Sequence, residues 1–261
     1  MKQSNLLLAF FFCLLACTKV GTTTGNNGSE REPDPDPNDI IHFVDNHVAA
    51  ICIENFDRNQ DSQLSYAEAA SVSSLGTVFK GSSITSFNEL KYFKGVVDIS
   101  EAFSGCVGLK EVTLPATSNL VLNGTFSGCT SLTVIIIPDA INAIGNAAFY
   151  GCTGLTAVTL SKSLTSIGSY AFCGCSGLTS ITIPDSVTSI GRGAIILSGS
   201  TFSGCTNMRN VIVEAKEPPV IVGAIFSGLP SDFKIVVPKE SHDKYLNASG
   251  WIQYRDHIVG K

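Results

Sequence analysis

The sequence predicts a mainly β protein. The expected architecture is a solenoid of short coils, each adding one short strand in parallel to the strand of the coil before it. Three observations carry this. Phe103, Phe126, Phe149 and Phe172 are each 23 residues apart, and Phe202 and Phe226 follow at spacings of 30 and 24. After each of these Phe a short run alternates apolar and polar residues, the period of a strand with one buried face. The composition adds a third argument. Only 15% of residues are charged, below the roughly 25% usual for soluble domains, and Gly is abundant at 24. That mix suits many short strands and turns better than long surface helices.

The repeat can be read position by position. The first five Phe begin Phe-x-Gly-Cys, which places Cys106, Cys129, Cys152, Cys175 and Cys205 at one position. Leu109, Leu132, Leu155, Leu178 or Met208 follows, then Val112, Ile135, Val158, Ile181 or Val211, then Leu114, Ile137, Leu160, Ile183 or Val213. Pro115, Pro138 and Pro184 close three of the strands. Farther along, Ile144-Gly145, Ile167-Gly168 and Ile190-Gly191 mark a second short extended segment and a turn. One such coil cannot bury its apolar side alone, whereas stacked coils share a continuous core. Two departures stand out. Seven extra residues lie between Gly191 and Phe202, including 194–200, and solenoid insertions map to loops on one face or bulge under the coil. The Phe226 unit has Leu229 where Cys is expected, as suits a terminal repeat.

The N-terminus reads as an address. Lys2 supplies a positive start, and Leu6 to Leu15 is almost wholly apolar but short for a bilayer span. The segment ends in Leu14-Leu15-Ala16-Cys17, which resembles the lipobox of bacterial lipoproteins. That resemblance implies a signal peptide over 1–16, lipidation at Cys17 and an anchor of lipid rather than helix. An ordinary secretory signal is the other reading. Residues 17–38 are rich in Gly, Thr, Asn, Pro and acidic residues and read as a tether.

Residues 39–80 are expected to be helical around an acidic turn. Ile41, Val44, Val48, Ile51 and Cys52 fall at helical spacing. The turn runs from Asp57 to Glu68. Calcium takes six to eight hard oxygens, and a twelve-residue loop supplies them from fixed positions. Here Asp57, Asn59, Asp61, the Gln63 carbonyl, Ser65 and Glu68 occupy them, with Leu64 at the apolar eighth position. The stretch resembles an EF-hand or dockerin-type calcium loop, which implies a low-affinity Ca2+ site. Ser62 stands where that family has Gly. A solvated acidic turn between two helices is the alternative.

The 23-residue period, the F-x-G-C-x-x-L run and the IP-D-x-V/I-x-x-IG run together resemble the BspA-like leucine-rich repeat family of Bacteroides-type surface lipoproteins. The likeness implies a right-handed leucine-rich-repeat solenoid over residues 81–238, a small helical N-terminal cap and a C-terminal cap over 239–261. Helix is expected at about 240–248, with Tyr245, Leu246 and Trp251 closing the last coil.

Function follows less directly. The outward strand positions are Glu111, Thr113, Val134, Ile136, Ala157, Thr159, Ser180, Thr182, Asn210 and Ile212, a small, Thr-rich and nearly uncharged platform. The binding-face candidates among them are Glu111, Thr113, Val134, Ile136, Thr159, Thr182 and Ile212. Val134 and Ile136 are apolar where water is expected. A net charge of −5 disfavours a nucleic-acid partner. None of His42, His47, His242 and His257 lies within the repeats, and no metal-protease or nucleophile-elbow motif occurs. The Cys at the repeated position share one direction, which is poor geometry for disulfides. Free buried thiols are expected there, with Cys173 a stray beside Cys175. The sum is a non-catalytic, monomeric cell-envelope lipoprotein of the outer membrane that binds an unknown protein or glycan. The resemblance implies adhesion. A periplasm-facing scaffold and a glycan-binding accessory protein are the competing readings.

Overall fold

Each coil of the chain turns on the same few residues. The computed structural model describes residues 34–192 and 200–261, and Pro35–Lys261 form one compact unit. Within it the Phe rings stack. Phe103, Phe126, Phe149, Phe172, Phe202 and Phe226 lie with centroids 5.2–5.6 Å apart and planes within 18° of parallel. Phe79 begins the stack one coil earlier, 5.5 Å from Phe103 and tilted by 35°. All but Phe226 are fully buried, and Phe226 nearly so. The turn after each Phe needs a residue with positive φ, supplied by Gly105, Gly128, Gly151, Gly174 and Gly204 at 68–77°. These glycines also stack. A Cβ on Gly174 would lie 3.4 Å from the Gly151 Cα.

Two ladders flank this core. Strands β1 (Ser86–Phe87), β2 (Glu111–Val112), β3 (Val134–Ile136), β5 (Ala157–Thr159), β7 (Ser180–Ile183), β9 (Asn210–Val213), β11 (Lys234–Val237) and β12 (Ile258–Gly260) make one side. The shorter β4 (Ala143–Ile144), β6 (Ser166–Ile167), β8 (Ser189–Ile190) and β10 (Val220–Ile221) make the other, pairing in that order. All named strand pairs are parallel. Coils of nearly constant length return each strand to the register of the last, as Ile135↔Val158 and Ile181↔Val211 show.

The first ladder is not continuous, in contrast to the expectation that successive strands pair throughout. It divides into β1–β2, β3–β5 and β7–β9–β11–β12. The physical origin is visible at β5 and β7. The Thr156 N–H reaches the Thr133 carbonyl at 2.9 Å and the Arg209 N–H reaches that of Thr179 at 2.8 Å, yet the corresponding Thr179–Thr156 bond is not formed. Nor does the Leu160 N–H meet the Thr182 carbonyl, although one coil earlier Ile137 and Thr159 are joined at 2.9 Å. The second ladder stays closed here, through Ser166↔Ser189 and Ile167↔Ile190. The two coils are therefore held at the second ladder and at the Phe turns, where the Phe149 N–H reaches the Ala171 carbonyl at 2.8 Å, and are unbonded only along the first ladder. Val158, at a core position, is only half-buried as a result.

The N-terminal region differs from its sequence reading in one respect. Helix α1 spans Asn46–Phe56, so it begins after Val44, which is 78% exposed. Asp45 decides the start. Its backbone is extended and its carboxylate accepts the His47 N–H, closing the first turn of the helix. Ile41 is buried outside the helix, its N–H bonded to the Leu64 carbonyl at 2.8 Å. Helix α2, Tyr66–Ser71, starts in a capping box between Ser65 and Glu68.

At the other end, a 3-10 turn at Lys239–Ser241 leads into α3, His242–Asn247. Tyr245 and Trp251 are fully buried, and Leu246 is partly buried. The Tyr245 hydroxyl donates to the Ala215 carbonyl at 2.8 Å and the Trp251 indole N–H to that of Pro219 at 2.7 Å.

Candidate functional site: an outward sheet face with an open groove

The strand alternation sends one set of side chains inward and the other to solvent. Glu111, Thr113, Val134, Ile136, Thr159 and Thr182 are all exposed, while Ile212 is half-buried. Val134 and Ile136 keep 49% and 62% of their surface open on β3. Ile136 is directly opposite Thr159 on β5. Thr113 donates its hydroxyl to the Asn88 side-chain oxygen at 2.9 Å, which ties it to the start of the stack. Glu111 and Thr113 therefore sit apart from the other candidates, on the far side of the break between β2 and β3.

A groove of about 880 Å³ opens on this face where the ladder breaks. Its floor is Thr159, Thr182, Ile212 and Val236, one from each of β5, β7, β9 and β11. Its wall is made just beyond the strand ends by Lys162, Pro184, Asp185, Glu214, Pro238 and Lys261. Among the described residues, the Asp185 and Glu214 carboxylates meet no cation within ion-pair distance. The sequence pointed to three of the four floor residues. Val236 and the charged wall escaped it, because coil length at the C-terminal end brings them together rather than any motif.

The loop from Asp57 to Glu68 has the turn that calcium loops need. Ser62 adopts φ 65°, the conformation for which Gly would be the relaxed choice. Asp57 accepts the Gln60 and Ser62 N–H at 2.8 Å each, Asn59 accepts that of Asp61 at 2.9 Å, and Asp61 accepts that of Gln63 at 2.9 Å. Glu68 accepts the N–H of Arg58 at 3.0 Å, of Asn59 at 3.3 Å and of Ser65 at 2.9 Å. Burial raises the Glu68 pKa, but the bonds from Ser65, Asn59 and Arg58 outweigh it and hold the carboxyl below its ordinary value. The backbone shape and the oxygen donors fit a hard cation. Among the described residues no three His, Cys, Asp or Glu side chains converge on one point, so an ion would have to draw Glu68 off these amides.

The repeated Cys are buried and free, as are Cys52 and the half-buried Cys173. Each ladder thiol donates to the carbonyl of the Phe one coil back: Cys106 to Phe79, Cys129 to Phe103, Cys152 to Phe126, Cys175 to Phe149 and Cys205 to Phe172, at 2.9–3.1 Å. Burial pushes the Cys152 and Cys205 thiols up to about 12, which removes the thiolate that nucleophilic chemistry requires. Cys17 and 193–199 lie outside the described residues, and with them all of the 194–200 insertion but Ser200. No helix among the described residues is long and apolar enough to cross a membrane.

The family description "BspA type leucine rich repeat region" matches residues 76–196, in six copies. Residues 76–196, a little under half of the chain, are thus similar to BspA-type leucine-rich repeats. Matching solved structures include a leucine-rich repeat protein from Bacteroides ovatus, at 28% identity and a TM-score of 0.45, over 59% of this chain and 41% of that one. Another is the leucine rich repeat protein of T. pallidum, at 29% identity and a TM-score of 0.43, over 54% of this chain and 62% of that one. A third is a leucine rich cell surface protein from Faecalibacterium prausnitzii, at 18% identity and a TM-score of 0.31, over 56% of this chain and 72% of that one. The chain thus spans about two fifths of the Bacteroides ovatus protein. No curated protein matches the sequence. The BspA-type match begins at residue 76, just ahead of Phe79, the first ring of the stack. Phe79 heads Phe-x-Gly-Ser, and its Ser82 hydroxyl stands 3.5 Å from the Cys106 sulfur. Reading Ser for Cys would have found that coil in the sequence.

Proposed function

We propose that this protein is a non-catalytic binding module of the cell envelope that presents the outward face of its BspA-type coils to a protein partner. The observation that carries the reading is the open apolar pair Val134 and Ile136 beside the groove floored by Thr159, Thr182, Ile212 and Val236. Exposed apolar surface rimmed by polar residues marks interaction sites. The chemistry of the face supports binding rather than catalysis. The buried thiols are bonded to carbonyls, and no histidine lines the groove. A lipid anchor at Cys17 would hold this face at a membrane surface, and the loop at Asp57–Glu68 would take calcium weakly and stiffen the N-terminal cap.

Photo-crosslinking on the cells that make the protein tests the reading. A benzophenone amino acid at Ile136 is expected to form adducts with a polypeptide that mass spectrometry identifies, and the same group at Thr165, exposed at the second ladder, is not. Adducts absent at Ile136, or equal at both positions, would overturn it.

A further inference from the structure

The seam between the β5 and β7 coils is a wedge, narrow at the Phe turns and wide at the first ladder. Phe149 and Phe172 stack at 5.2 Å, closer than any other neighbours in the column from Phe79 to Phe226. The turn glycines agree. A Cβ on Gly174 would come within 3.4 Å of the Gly151 Cα, and the next tightest approach in that glycine column is 3.5 Å, at Gly204. The same two coils are bonded at the second ladder and unbonded along the first. They are pinched at the turns and spread where the groove of about 880 Å³ opens.

The strands on either side of the seam are built to pair. Ala157–Thr159 pairs with Val134–Ile136 on its other side, and Ser180–Ile183 with Asn210–Val213. Neither holds a Pro or Gly. The register of the closed interface next to it, carried one coil on, would place Val158 opposite Ile181 and Thr159 opposite Thr182. It would also join the Thr179 N–H to the Thr156 carbonyl and the Leu160 N–H to that of Thr182, as Thr156 joins Thr133 and Ile137 joins Thr159. Closure would finish burying Val158, now half-buried at a core position.

Charge supplies a latch. Asp139, Lys162 and Asp185 occupy one repeat position, two residues after the core residues Ile137, Leu160 and Ile183, and their signs alternate. Across the closed β3–β5 interface, Asp139 reaches its neighbour and accepts the Lys162 main-chain N–H at 2.8 Å. Across the open seam, Lys162 and Asp185 line the same groove without forming an ion pair. Neighbouring strands stand about 4.8 Å apart, so closure brings these two charges side by side. Glu214 and Lys261 belong to coils beyond β7, where the ladder is already closed. An exposed ion pair is weak, so it biases a seam that is near balance and does not create one.

We propose that the β5–β7 seam is a clasp. It alternates between the open form, which holds the groove, and a closed form in which β5 and β7 zip into a continuous ladder and Lys162 pairs with Asp185. The Phe149–Phe172 turns and the β6–β8 pair stay bonded in both forms and act as the hinge. Groove and closed ladder exclude each other, so a ligand in the groove and the Lys162–Asp185 pair bias the clasp in opposite directions. The clasp is a property of the fold and does not depend on the outward face binding a protein.

Amide hydrogen exchange on the full chain, resolved to single residues, tests it. Leu160 and Thr179 report on the seam, and Ile137 and Thr156, bonded at the equivalent places across β3–β5, are the reference. In the parent, Leu160 and Thr179 are expected to exchange at least about tenfold faster than the reference amides, as a locally opening segment does. Lys162→Met and Asp185→Asn are each expected to speed Leu160 and Thr179 by a further factor of about two, the scale of an exposed ion pair. Lys162→Arg keeps the parent rates, and Ile137 and Thr156 stay unchanged in all three variants. Protection of Leu160 and Thr179 equal to the reference would mean a seam that is always closed. Rates indifferent to Lys162 and Asp185 would mean that the pair latches nothing. Speeding of Ile137 and Thr156 alongside would mean general loosening of the stack. Each of these three results overturns the inference.

Discussion

Asp45 joins parts of the chain that are forty residues apart. Its carboxylate caps α1 and also accepts the Thr85 N–H at 2.6 Å, the Thr85 hydroxyl at 2.9 Å and the Ser86 N–H at 3.4 Å. Burial alone would raise its pKa, but these bonds from Thr85, His47 and Ser86 prevail and hold it at about 2. The folded value lies below the unfolded value of about 3.9. The contribution to stability, about 2 kcal/mol, is therefore complete above about pH 5 and is lost as pH falls toward 2. Urea unfolding of Asp45→Asn is expected to show a loss of 1–3 kcal/mol at pH 7 and a smaller change between pH 5 and pH 2.5 than the parent. An unaltered pH slope would show that Asp45 does not staple the cap. None of this was legible in the sequence, where Asp45 sits inside a run of helical spacing and its partners are remote. The Cys ladder was the opposite case. Five Cys at one repeat position could be read as packing from sequence, and only the thiol-to-carbonyl bond that favours Cys over Ala needed the structure.

At the scale of elements, coil length transmits well through sequence and strand pairing does not. Phe spacing located every coil after the first, and the alternation chose the faces of β3, β5, β7 and β9. The break between β5 and β7 left no mark, because Ala157–Leu160 and Ser180–Ile183 follow the same pattern and pair or part according to how the coils settle. The acidic loop from Asp57 to Glu68 lies between these cases. Its oxygens were readable, whereas the engagement of Glu68 with Arg58, Asn59 and Ser65 was not. Because Glu68 also caps α2, Asp61→Asn is the cleaner variant, since it removes a ligand charge and can keep the bond to the Gln63 N–H. With a Kd near 1 mM, typical of extracellular modules, 10 mM calcium adds about 1.4 kcal/mol. That raises the Tm of the parent by roughly 3–5 °C and leaves Asp61→Asn unmoved. A parent melt indifferent to calcium would exclude the site.

The whole molecule is a stack whose ends are chemically unlike its middle. Interior coils bury both sides of every Phe, while Phe226 has a coil on one side only. Trp251, Tyr254 and Phe233 cover the other, at centroid distances of 6.3, 5.1 and 5.7 Å. Trp251 is itself held edge-on against Tyr245 at 5.0 Å. Truncating a buried Trp costs about 3–5 kcal/mol. In a solenoid each coil contacts mainly its neighbours, so damage at one end need not reach the other. Trp251→Ala is therefore expected to release amide protection in β9, β11 and β12 while β3 and β5 keep theirs, as read by hydrogen exchange. The uncovered Phe226 should also make the variant associate at concentrations where the parent is monomeric. The ladder break sharpens the expectation. With β5 and β7 unbonded, these two coils are joined by the β6–β8 pair and by the turn bonds from the Ala147, Phe149 and Gly151 N–H groups but not by the first ladder, so the boundary between lost and retained protection should fall there. A uniform loss of protection across all coils would mean that the stack unfolds as one unit, and that the open β5–β7 edge is no mechanical division.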